Sequence, residues 1–198
     1  IDENAELTIV GGSIEARLNS AASGGVLSIE FGGQVLIQHP SKRYLFDSNS
    51  ARLQGGAIYI GSGGSLLLNT SAPAGSVQHT QCDACIDFTD NSVDISTGLA
   101  LGGSMAAVGG ARVQLSGCRF SGGAASGGGH VYTAGTGTVF TLQDVTSSSA
   151  NAVCAIGSSG SCSDASAGVG GAYFAAEGAV LNLHNVSVSH SSAALRGG

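Results

Sequence analysis

The sequence predicts an all-β chain: a right-handed parallel β-helix, or solenoid, of about five to six coils with two loop insertions. Three observations predict it. A short phrase recurs along the chain and ends each time in a glycine pair. Brief alternating apolar runs lie between the pairs, with the period of strands rather than of helices. The same position of each repeat is apolar in nearly every copy, as stacked coils sharing one interior require.

The phrase is clearest over Phe46–Ile60. There an apolar residue is followed three places later by Asn49, then by Gly55-Gly56, then by an alternating run through Ile58 and Ile60. A looser copy runs from Phe88 through Asn91 and Gly102-Gly103 to Met105. Later copies keep only the glycines, at Gly128-Gly129, Gly170-Gly171 and Gly197-Gly198. Registered on these pairs, residues 1–23 make a partial coil. Full coils begin near Gly24, Gly55, Gly102, Gly128 and Gly170, with insertions near 71–84 and 149–168. Both ends stop inside the pattern with no polar cap, so residues 1–198 read as a single β-helix segment of a longer protein or of a stacked assembly.

Each coil holds three alternating segments. The first follows the glycine pair: Leu27/Ile29, Ile58/Ile60, Met105/Ala107, Val131/Thr133 and Tyr173/Ala175. The second is Val35/Ile37, Leu66/Leu68, Val113/Leu115, Phe140/Leu142 and Leu181/Leu183, with Leu7/Ile9 as its match in the partial coil. The third is Tyr44/Phe46, Ile86/Phe88, Cys118/Phe120, Val145/Ser147 and Val186/Val188. Period two sends these residues to one face and their neighbours to the other. Right-handed winding is the rule for parallel crossovers, and glycine suits tight corners. Coils about 4.8 Å apart would make a rod about 25–30 Å long.

Composition narrows the function. The 198 residues include 33 glycines and 2 prolines, and only 10% are charged. Mean hydropathy is +0.26 and 42% of residues are hydrophobic, which argues against disorder. No apolar run is long enough to span a membrane as a helix. A net charge of −6 disfavours nucleic acid and anionic membranes as partners.

Phe46-x-x-Asn49 followed by Gly55-Gly56-Ala57-Ile58 resembles the paired FxxN and GGA[ILV] motifs of the polymorphic outer-membrane protein repeat family. Phe88/Asn91 with Gly102-Gly103-Ser104 is a partial match, and Gly170-Gly171-Ala172 matches without an FxxN before it. The resemblance covers about residues 24–198, and two coils carry most of it. It implies a right-handed parallel β-helix in an extracellular region linked to adhesion. The family's C-terminal membrane barrel has no counterpart in these residues.

Asn49 and Asn91 fall at one corner on successive coils, where inward side chains would bond backbone groups of adjacent coils. Cys154 and Cys162 share the second insertion and are expected to form a disulfide. Cys82 and Cys85, assigned to the first insertion, are expected to form a small-loop disulfide. No βαβ unit accompanies their spacing, so a redox role does not follow. His79 beside Cys82 and Cys85 makes three zinc donors without a local fourth, and no metal site or cofactor is expected. Cys118 reads as a buried thiol. Asn69-Thr-Ser71 and Asn185-Val-Ser187 are glycosylation sequons. With the insertion cysteines they favour an extracellular or cell-surface location.

Outward columns offer contacts. Tyr59, Tyr132 and Phe174 share one, and Leu36 and Leu67 are neighbours in another; either is a lateral protein contact or is covered by the insertions. The acidic residues Glu30, Asp144 and Glu177 are dispersed, while Asp87, Asp90 and Asp94 form a group expected to meet water. Enzymatic chemistry on such a fold needs clustered carboxylates, so no enzyme is expected. The leading expectation is a non-catalytic extracellular structural or adhesive scaffold in a surface fibre or larger surface protein. Its partners would be other subunits, or further coils of its own chain, at both ends. The alternative is a carbohydrate-binding or polysaccharide-cleaving β-helix module, for which glycans would be the partner.

Overall fold

A computed structural model describes residues 1, 5–38, 43–69, 85–97, 100–153 and 169–194. Among these the chain is built of short parallel strands, and six successive circuits of the chain lie one on the next. The first circuit is β1 (Glu6–Val10), β2 (Ile14–Arg17) and β3 (Ser20–Ser23). The second is β4 (Leu27–Ile29), β5 (Gln34–Gln38), β6 (Tyr44–Asp47) and β7 (Ser50–Gln54). The third is β8 (Ile58–Ile60), β9 (Ser65–Asn69), β10 (Ile86–Thr89) and β11 (Ser92–Val93). The fourth is β12 (Met105–Val108), β13 (Arg112–Ser116), β14 (Cys118–Ser121) and β15 (Ala124–Ala125). The fifth is β16 (Val131–Ala134), β17 (Val139–Ser148) and β18 (Asn151–Ala152). The sixth is β19 (Tyr173–Ala176), β20 (Val180–Ser189) and β21 (Ser192–Ala193).

Three sheets result. β4, β8, β12, β16 and β19 form one, and β3, β7, β11, β15, β18 and β21 another. The remaining strands form a ten-stranded sheet, because β17 and β20 each run unbroken through a corner where other circuits break. Asp144 in β17 turns that corner at φ 53° and Asn185 in β20 at φ 51°. All pairings are parallel, and the arrangement is compatible with a solenoid.

The registers follow the apolar columns. Leu27 pairs Ile58, which pairs Met105, then Val131, then Tyr173. Leu7, Val35, Leu66, Val113, Phe140 and Leu181 make a second column. Phe46, Phe88 and Phe120 stack with ring centroids 4.9 Å apart at each step. Ile58, Leu68, Ile86, Phe88, Leu115 and Leu142 are fully enclosed. Stacking therefore removes from water the face that no single circuit could cover.

The glycine pairs have distinct roles at their two positions. The first glycine takes positive φ, as at Gly55 (60°) and Gly102 (69°). The second permits close approach: a methyl on Gly103 would run into the carbonyl of Gly129 in the next circuit, and Gly56 stands in the same relation to Gly103. The pair is thus a steric requirement of stacking and not only a turn signal.

Four features differ from the sequence reading. A fourth short strand follows the Asn corner and builds the six-stranded sheet. It escaped notice because its inward residues are small or single, as at Ala51, Val93, Ala125 and Ala152, so there is no apolar alternation to read. The second insertion was placed too early, since Asn151–Ala152 already pairs with β15. Cys85 belongs to the stack rather than to an insertion, because its carbonyl accepts the Tyr44 N–H at 2.8 Å. The third circuit also detours through a 3-10 turn at Ile95–Thr97 before returning at Leu101.

Candidate interaction surfaces

The asparagine corner is a ladder of three rungs. Asn49 and Asn91 are fully buried. Asn49 Oδ1 accepts from Asn19 N at 3.1 Å and from Asn19 Nδ2 at 2.9 Å. Asn91 Oδ1 accepts from Asn49 N and Asn49 Nδ2, both at 3.0 Å. Each lower carbonyl is used as well: Asn49 Nδ2 donates to Ala16 O at 3.0 Å and Asn91 Nδ2 to Phe46 O at 2.9 Å. Asn49 and Asn91 therefore each take a backbone N–H from the circuit below and return an N–H to it. Asn19 was missed in the sequence because no phenylalanine stands three residues before it; Ala16 occupies that place.

The asparagine ladder ends at the third circuit and the phenylalanine ladder at the fourth. Gly123 follows Asn91 in the asparagine register, and Ser147 follows Phe120 in the phenylalanine register. His130 fills the space at Gly123. Its ring lies 5.5 Å from that of Phe120, and its Nδ1 occupies the position a side chain on Gly123 would take. Nε2 is 3.1 Å from Ser148 O, a group that can only accept, so Nε2 carries the proton and Nδ1 the lone pair. Burial pushes the His130 pKa down to about 4, against the smaller upward pull of the Ser148 carbonyl. His130 Nδ1 is buried without a hydrogen-bond partner among the described residues, and burial pushes the Tyr173 phenol up to about 12 against the smaller downward pull of a hydrogen bond with Ser147.

Asp87 departs from the expectation that it meets water: it is fully buried on the outer side of β10. Arg119 on β14 clasps it through Nε and Nη2, each at 2.9 Å, and Arg43 Nε reaches it from the circuit below. One carboxylate thus ties three circuits together. Cys85 Sγ lies 3.7 Å from Asp87 Oδ2. Its suggested partner Cys82 lies outside the described residues, as do Cys154, Cys162 and His79. Cys118 is an enclosed free thiol whose pKa burial raises, with the Asp87 charge adding to the effect.

Two lateral faces carry apolar residues. Tyr132 is only 6% exposed, packing with Leu101, Ala106 and Ala134, while Tyr59 and Phe174 are half-buried against the same cluster. Leu101 arrives there through the detour after β11, so part of this column is covered by the chain itself. Leu36 and Leu67 face outward along the ten-stranded sheet, in a groove of about 490 Å³ shared with Glu6, Gln34, Arg112 and Gln114. Glu6 is the one carboxylate among its described lining residues.

The first and last circuits each have one side on which no described strand pairs. At one, Leu7, Ile9 and Ile14 are half-buried, and Asn19 Oδ1 has no donor among the described residues. At the other, Val180, Leu183 and Val188 are 48%, 47% and 46% exposed. Asn69, at the end of β9, is exposed. Asn185 is exposed too and donates Nδ2 to Asp144 Oδ1 at 2.6 Å. No protein-family model, curated protein or solved structure matches the chain.

Proposed function

We propose that the chain is a right-handed parallel β-helix segment acting as a non-catalytic extracellular scaffold, structural or adhesive, within a surface fibre or larger surface protein. The observation that carries this reading is the stack of parallel strands whose apolar columns run through successive circuits. The FxxN and GGA[ILV] resemblance to the polymorphic outer-membrane protein repeats supports the winding and the surface setting. The exposed sequon residues Asn69 and Asn185 support the secretory route. Asp87 is held by two arginines and is not available as a general acid or base.

Electron microscopy of material from the native source tests the reading. Density for this chain inside a periodic fibre or sheath, with circuits abutting a neighbour, is the expected result. A free, isolated rod would overturn it.

The groove over Leu36 and Leu67 favours a second reading, a carbohydrate-binding module. Gln34, Gln114 and Arg112 offer donors along an apolar floor. A single lining carboxylate supports binding rather than cleavage by an acid/base pair. A glycan array with signal lost in Gln114→Ala is the expected result for this reading, and an array with no signal removes it.

A further inference from the structure

We propose that the groove over Leu36 and Leu67 binds an acidic polysaccharide in which charged and neutral sugars alternate, with a uronate carboxylate on Arg112. This rests on the carbohydrate-binding reading and names its ligand class.

The strand register makes the groove. On β5, β9 and β13 buried residues alternate with outward ones, and parallel pairing sets the outward ones in columns. One column reads Glu6, Gln34, Ser65, Arg112, and the column beside it carries Leu36, Leu67 and Gln114. Ser65 is short between two long side chains. It leaves a hollow with Gln34 and Arg112 as walls and the two leucines as floor. Its volume of about 490 Å³ suits a small-ligand site. A sugar matches both surfaces. Its C–H faces cover the half-buried leucines, and its hydroxyls meet the Ser65 hydroxyl and the Gln34 and Gln114 amides.

The order of charges sets the ligand class. Arg112 is the one cation among the groove's described lining residues. It makes none of the ion pairs found among the described residues. Its planar guanidinium matches a carboxylate in a two-pronged contact. Glu6 stands in the same column three strand spacings away, about 14 Å, and accepts from Thr8 Oγ1 at 3.1 Å. A ligand charged on every ring would set an anion against Glu6, and the net charge of −6 adds to that repulsion. An extended sugar chain lying across the strands advances about one ring per strand spacing. An acidic ring at Arg112 then sets a neutral ring at Ser65, an acidic ring at Gln34, whose amide donates, and a neutral ring at Glu6, to which its hydroxyls donate. Each ring meets a group it bonds, and no like charges meet.

Isothermal titration calorimetry on the 198-residue chain tests this with three hexasaccharides. One alternates glucuronate and N-acetylglucosamine, the second is its carboxyl-reduced neutral form, and the third is mannuronate throughout. The wild type is expected to bind the alternating acid about tenfold more tightly than either of the others. Arg112→Gln should remove the preference over the neutral form, and Glu6→Gln should raise affinity for the all-acid chain several-fold. Both positions are exposed, and circular dichroism checks that the variants are folded. Equal affinity for the acid and its reduced form, or a preference that survives Arg112→Gln, would overturn the uronate contact and leave the carbohydrate-binding reading standing. An all-acid chain that binds as well as the alternating one, with Glu6→Gln without effect, would overturn the alternation. Binding of none of the three would overturn the proposal. The glycan array then decides the reading beneath it, which stands if another glycan gives a signal lost in Gln114→Ala and falls if none does.

Discussion

His130 stands in the place of a side chain that Gly123 lacks. Its imidazole lies against the ring of Phe120, its Nδ1 fills the space above the missing Cβ, and its Nε2 holds the Ser148 carbonyl. One residue thus meets the ends of two ladders, the missing asparagine position at Gly123 and the last phenylalanine ring at Phe120. The interior becomes more polar beyond this point, with Thr133, Ser147 and Tyr173 in place of the earlier aliphatic and aromatic residues.

The histidine makes stability depend on pH. Its folded pKa, about 4, lies below the ordinary value of 6.5 because burial disfavours the cation. Above 6.5 both states are neutral and nothing is lost. As pH falls from 6.5 toward 4 the unfolded chain takes up a proton that the folded chain refuses. That gap corresponds to about 3 kcal/mol. Denaturation midpoints measured from pH 7.5 to 4.5 should therefore fall more steeply for wild type than for His130→Gln. Parallel profiles would show that the ring titrates freely.

Removing a middle rung should cost more than removing the end one. Asn49→Ala strips partners from Asn19, Asn91 and the Ala16 carbonyl, in part at a fully buried site. A loss of roughly 2–4 kcal/mol is expected. Asn19→Ala, at the exposed end, should lose about 1 kcal/mol or less. Urea titration of both variants makes the comparison, and equal losses would argue against a cooperative ladder.

The Asp87 clasp predicts an asymmetry. Arg43 and Arg119 keep 45% and 37% of their side chains exposed, whereas Asp87 keeps 1%. Taking away the carboxylate lets the arginines turn to water. Taking away both arginines strands a buried negative charge. The double variant Arg43→Met/Arg119→Met should thus lose about 3 kcal/mol or more, and Asp87→Asn clearly less. Thermal melts that reverse this order would refute the clasp.

Glycines of two kinds should respond differently to alanine. Gly63 sits at φ 77° with nothing within 4 Å of a new Cβ, so Gly63→Ala should cost about 1 kcal/mol of backbone strain. At Gly103 the new methyl meets the Gly129 carbonyl and the Ala124 backbone, neither of which can rotate away. Gly103→Ala should lose roughly 3 kcal/mol or fail to fold. Equal melting temperatures would remove the steric account of the pair.

The columns were legible because each inward position is large and apolar and recurs at a fixed place, from Leu27 to Tyr173 and from Val35 to Leu181. Periodicity is a local property, and five stacked copies repeat it until chance is no longer an account. The paired glycines were legible for the same reason. The fourth strand was not, because Ala51, Ala125 and Ala152 leave no alternation to read.

What the tertiary structure alone decided are contacts between residues far apart in the chain. Asp87 looked like one of a solvated acidic group until Arg43 and Arg119, 44 and 32 residues away, were brought to its two oxygens. Asn19 joined the ladder only when the stack set it beneath Asn49, 30 residues on. His130 took its place because Gly123 left room for its ring beside Phe120. The amino-acid order determined the strand repeat, its columns and the glycine approach, since those depend on each residue and its near neighbours. Which polar groups end up buried and partnered depends on which circuits come to lie against each other, and that is settled only when the chain is wound.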